Sequence, residues 1–76
     1  MTWKWTDHII HQLKERKISK DLVEKALDNP DNIVNGKRGC KIYQKITGDK
    51  LIRVVTEKEI LITAYLTDKV KKYMEE

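Results

Sequence analysis

The stretch Ala26 to Val34, A-L-D-N-P-D-N-I-V, decides the fold, because the chain changes its period there. Before it, apolar residues recur at helical spacing: Ile9, Ile10 and Leu13, then Leu22, Val23, Ala26 and Leu27. After it come β-branched and aromatic runs, C-K-I-Y-Q-K-I-T, K-L-I-R-V-V-T and E-I-L-I-T-A-Y-L. Pro30 is the pivot, since it lacks a backbone donor and disfavours helix at Asn29.

Upstream of that pivot, Thr6 or Asp7 can cap a helix running to about Arg16, with Trp3 or Trp5 folding under its start. His8, His11 and Lys14 fall on a polar strip of it. Ser19 caps a second helix, and Asp21 suits the positive end of its dipole. Downstream, N-I-V reads as a short edge strand and N-G-K-R-G as a turn, with further turns at Gly48-Asp49 and at Glu57 to Glu59. The tail from Thr67 can form a last helix with Val70, Tyr73 and Met74 as its apolar side. The expectation is one α+β domain over residues 1–76: a helical hairpin on a three- to four-stranded antiparallel sheet, then a short C-terminal helix.

Bulk properties narrow the classes. A 76-residue chain holds one core, because a chain of this size buries only about 60% of its unfolded surface. At 39% hydrophobic, with three glycines and one proline, it should fold. The net charge of +4 favours a polyanionic partner only mildly unless the cations cluster. Cys40 is the single cysteine, which excludes an intramolecular disulfide and a cysteine zinc site and fits a reducing cytoplasm. No apolar run reaches membrane-span length, and M-T-W-K-W-T-D-H has no signal-peptide core, so a soluble, unexported chain is expected.

An ordered series of motifs resembles a known family. His8, Arg16, Ile18, Ser19, Val23, Ala26, Leu27, Asn29, Pro30 and Asp31 match H-x7-R-x-I-S-x3-V-x-x-A-L-x-N-P-D. Gly39, Tyr43, Lys45, Arg53, Val54, Val55, Thr63 and Tyr65 extend the likeness, which spans roughly residues 5–66. The series resembles the domain-of-unknown-function family 4258, a branch that looks like the RelE/ParE-like toxin superfamily. The resemblance implies a compact helical hairpin and sheet, a metal-independent endoribonuclease-like activity on RNA, and an antitoxin-like protein partner. Two positions depart from the family's habit: Gln12 stands where an arginine is frequent, and Lys17 where a glycine often precedes I-S.

Cutting RNA without a metal requires a proton acceptor for the 2′-hydroxyl, a proton donor for the leaving oxygen, and cations around the developing charge. An imidazole titrates near ~6.5 and so exists in both forms at neutral pH. His8, which matches the family position, is preferred to His11. Lys45, Arg53 and Tyr65 complete the candidate catalytic set. Arg16, Lys37, Arg38, Lys41 and Tyr43 are the candidate RNA contacts, by charge or stacking. Arg16 has a plainer alternative in bonding carbonyls at its own helix end, and Trp3 and Trp5 read as core lids. His8 and His11 lack a third ligand, so neither metal nor cofactor is expected.

Sheet register determines whether the strand candidates cooperate. Odd-length hairpin loops would put Tyr43, Lys45, Arg53, Thr63 and Tyr65 on one face, and leave Ile42, Ile46, Ile52, Val54, Ile62 and Ala64 to the helices. Two-residue loops would set Arg53 beside Gln44 and Ala64, away from Tyr43 and Tyr65. The family reading favours the first arrangement. Two rival functions use other features. A non-catalytic nucleic-acid-binding module needs only the basic face. An interaction domain, monomer or homodimer, would expose Leu51, Leu61 and Leu66.

Overall fold

The computed structural model describes residues 2–74. Two helices open the chain, α1 (Asp7–Arg16) and α2 (Lys20–Asp28), followed by β1 (Asn32–Asn35), a 3-10 turn at Lys37–Gly39, β2 (Lys41–Thr47), β3 (Lys50–Glu57), β4 (Ile60–Thr67) and α3 (Val70–Met74). The strands form an antiparallel sheet in the order β1-β2-β3-β4. The α+β expectation is met, with four strands.

Local chemistry sets the helix ends. Thr6 Oγ1 accepts from the Ile9 amide at 3.3 Å and Ser19 Oγ accepts from the Leu22 amide at 3.1 Å, so each helix starts at the hydroxyl expected from the sequence. Helix α1 ends at Lys17, whose backbone is left-handed (φ 54°, ψ 42°). Its N–H donates to the carbonyls of Leu13 and Lys14, and Ile18 N–H donates to Leu13 O at 2.9 Å. Glycine suits that position best, because it alone has no side chain to strain a left-handed backbone. Past Pro30, Asp31 pins the first hairpin twice, its N–H donating to Gln44 O and its Oδ2 accepting from Ile46 N–H, both at 2.8 Å.

Helices α1 and α2 cover one face of the sheet. Ile9, Leu13, Ile18, Val23, Ala26 and Leu27 pack there with Ile52, Val54, Leu61 and Ala64, while Trp3, Trp5, Leu22 and Tyr43 close the margin of this core. Each large apolar side chain buried in this way contributes roughly 1.5–3 kcal/mol. The tryptophans are core lids, as read from the sequence. Helix α3 lies against the opposite face, where Tyr73 stacks on Arg53 and Met74 meets Gln44.

Neither register considered above is the one found. Thr47 pairs with Lys50 and Glu57 with Ile60, so both hairpin loops have two residues. Such loops alone would set Arg53 opposite Ala64. A β-bulge intervenes, because Thr56 pairs with Leu61 whereas Val55 pairs with Thr63, leaving Ile62 as the extra residue. From there on β4 is shifted by one position, and Arg53 faces Tyr65.

Directly opposed residues share a face. Asn32, Gln44, Arg53 and Tyr65 therefore form one row under α3, flanked by the rows Ile42, Val55, Thr63 and Ile46, Leu51, Thr67. Tyr43 and Lys45 pair with Val54 and Ile52 on the helix side. The favoured single-face arrangement is thus corrected: the two hairpin loops are even, and the bulge rescues only Thr63 and Tyr65. Ile42 and Ile46 likewise belong to the α3 side rather than the helical-hairpin side. The leucines proposed as an exposed interface are corrected as well, since Leu51 and Leu61 are fully buried and only Leu66 is exposed.

Candidate functional site along the margin of β4

The outer edge of β4 is covered by two devices. Near its start, Lys4 N–H donates to Glu59 O at 2.7 Å and Leu61 N–H donates to Lys4 O at 3.1 Å, adding a short parallel bridge. Further along, Arg16 Nη1 donates to Ala64 O at 2.8 Å and reaches Thr63 Oγ1 at 3.4 Å. Arg16 thus bonds a strand carbonyl rather than its own helix end. Such a contact satisfies a polar edge that would otherwise be a template for another strand.

Thr63 Oγ1 also donates to Gln12 Oε1 at 2.5 Å. Gln12 stands one helical turn before Arg16, and His8 one turn before Gln12, so the three share a side of α1. His8 is exposed. His11 points along another strip and faces Glu15 at 3.4 Å, with both side chains largely in water. The histidine that matches the family position is therefore the one aligned with Gln12, Arg16 and Thr63.

Two positions along from Thr63, and on the same face, Tyr65 accepts from Arg53 Nη1 at 2.7 Å through its hydroxyl. Arg53 is only 6% exposed. Its Nε donates to Gln44 Oε1 at 2.8 Å, and its guanidinium lies 3.8 Å from the centre of the Tyr73 ring. A buried guanidinium has lost most of its hydration, so these hydrogen bonds and the aromatic face offset a cost of several kcal/mol, to order of magnitude. Tyr73 is a member of this network that the sequence did not single out, whereas Gln44 was already the expected neighbour of Arg53 in the two-residue-loop arrangement, which pairs them here. The signal at Gln44 was indirect: a glutamine in the middle of an apolar strand requires a buried partner.

The remaining candidates lie elsewhere. Lys45, on the helix side, donates through Nζ to Asn29 O at 3.1 Å and so caps the C-terminal end of α2. Tyr43 is half-buried beside the core, edge-on to Trp3 at 5.4 Å. Lys37 and Arg38 belong to the β1–β2 connection, Lys41 opens β2, and all three are exposed. The structure therefore brings Arg53 to Tyr65 and Arg16 to Thr63, aligns His8 with the second pair, and puts Lys45, Tyr43 and Lys41 on the other face.

The motif spacing now has a physical reading for most of its positions: Ile18, Val23, Ala26, Leu27 and Val54 build the core, Ser19 caps α2, Asn29 receives Lys45, and Asp31 holds the first hairpin. The chain belongs to the family described as Domain of unknown function (DUF4258), whose model matches residues 5–66. No curated protein and no solved structure matches the chain. Among the described residues, no helix is long and apolar enough to cross a membrane.

Proposed function

We propose that this chain is a toxin-like RNA-binding domain of RelE type that works in the cytoplasm and holds single-stranded RNA along the margin of β4. The observation that carries the reading is the anchoring of Arg16 to Thr63 and Ala64, which fixes a cation at a sheet edge in line with His8 and Gln12. A guanidinium held in this way gives up little further side-chain freedom on meeting a phosphate. Tyr65 and Arg53 continue the polar line towards α3.

In the catalytic form of this reading, His8 moves the proton in a metal-independent cleavage and Arg16 offsets charge on the phosphorus. A non-catalytic binding module is favoured by one observation: Lys45 and Arg53, both candidates for charge stabilisation, are engaged by Asn29 and by the Gln44–Tyr65–Tyr73 network. A metal-free assay on total RNA, run beside a binding assay on the same RNA, separates the two. The catalytic form predicts discrete products that disappear in His8→Ala while binding persists. Binding without products assigns the module. Absence of both contradicts the proposal.

A further inference from the structure

The loop end of the sheet carries a second feature that the β4 margin does not use. Residues of the β1–β2 connection, of β2 and β3 and of the β3–β4 turn border an open hollow of about 430 Å³, lined by Gly39, Lys41, Tyr43, Thr56, Lys58 and Glu59. No residue of α1, α2 or α3 is among them, because α1 packs on β4 and α2 on β2 and β3, away from this corner of the helix-side face. Its size falls within the range of about 300–1,000 Å³ that small-molecule sites occupy.

We propose that this hollow takes one phosphorylated nucleoside, the terminal nucleotide of an RNA chain, with its base against Tyr43 and its phosphate between Lys41 and Lys58. The inference deepens the RNA reading above and rests on it for the nucleotide being part of a chain. Tyr43 is suited to the first role because Trp3 already fixes its ring edge-on, at 5.4 Å and 83°, so a stacking base has little motion left to arrest. Thr56 is buried and donates its hydroxyl to Lys41 O at 3.1 Å, which orients its oxygen as an acceptor. Glu59 supplies a second acceptor, suited to an exocyclic amine or a ribose hydroxyl. Two ammonium groups against one carboxylate leave the hollow net positive, and Lys37 and Arg38 extend that charge along the adjoining loop.

A comparison within the molecule singles out Lys58. The β2–β3 and β3–β4 hairpins close through two-residue turns whose first residue has positive φ: Gly48 at 63° in the former, Lys58 at 56° in the latter. Glycine is the ordinary occupant of that position, and at the second turn a lysine takes it and stands at the rim of the hollow. Arg38, at 57°, repeats the pattern beside Gly39 across the rim.

The test follows amide shifts of the full chain during titration with uridine and adenosine monophosphates, with inorganic phosphate, and with a 5′-phosphorylated single-stranded RNA. The proposal expects saturable shifts at Gly39, Lys41, Tyr43 and Lys58 with nucleotide and with RNA, and affinity for inorganic phosphate weaker by roughly tenfold, since it lacks the base. Lys58→Gly should weaken nucleotide binding by about fivefold or more while leaving the protein at least as heat-stable, as expected for a lysine kept for its charge. RNA binding with the hollow silent overturns this site and leaves the β4 margin standing. Nucleotide binding at the hollow without any RNA binding overturns the RNA reading and keeps the site as one for free nucleotides. Unchanged affinity in both Lys58→Gly and Lys41→Ala overturns the proposal.

Discussion

Three residues outside glycine adopt left-handed backbone among those described, and all three are cations: Lys17, Arg38 and Lys58. Each occupies a place where a side chain strains the backbone by about 1 kcal/mol. Lys17→Gly should therefore raise stability by roughly 0.5–1 kcal/mol, read from chemical denaturation, because it relieves the C-cap of α1. A loss of stability would mean that the lysine makes a compensating contact. The histidines differ in setting. His8→Ala should leave the unfolding midpoint unchanged and lower any RNA cleavage by roughly 10²-fold or more. His11→Ala, which removes only an exposed partner of Glu15, should change neither. Equal effects of the two would remove the distinction. Arg53 differs again, being buried within a polar network. Arg53→Leu would leave the Gln44 amide and the Tyr65 hydroxyl without this partner, and should cost about 2–3 kcal/mol. A neutral result in denaturation would show that the network adds nothing.

At the scale of the elements, most of the fold was legible because it follows from local chemistry. Ser19 and Thr6 announced the helix starts, Pro30 the change of period, and Gly48-Asp49 the central turn. The register of β4 was not legible. A bulge inserts one residue, Ile62, without any glycine or proline to mark it, and one residue suffices to move Tyr65 from the helix side to the row of Arg53. Candidate residues on β2 were misplaced for a related reason: Tyr43 and Lys45 are amphipathic, so their tips suggest surface while their stems pack on the helix side. The register makes its own prediction. Deletion of Ile62 restores regular pairing and leaves Arg53 opposite Tyr65, so the variant should keep the native pattern of amide shifts around Arg53, with only a lower melting temperature. Loss of the Tyr65 environment in that variant would contradict the assignment of Ile62 as the bulged residue.

For the whole molecule, charge was readable in amount but not in arrangement. The net +4 gave no face, whereas the fold distributes candidate cations between the β4 margin, where Arg16 is fixed, and the loop end, where Lys37, Arg38, Lys41 and Lys58 surround or adjoin a hollow. A single-stranded RNA neutralised at about three to five phosphates should show a slope of log affinity against log salt of roughly −2 to −4. Arg16 contributes one of those contacts in this account, so its removal should weaken binding and flatten the slope by about 0.7. The most direct measurement is accordingly the salt dependence of single-stranded RNA affinity for the wild-type chain and for Arg16→Ala, compared over the same salt range. The expected slope is roughly −2 to −4 for the wild type and shallower by about 0.7 for the variant. Absence of RNA binding at low salt, or identical affinities and slopes for the two proteins, would contradict it.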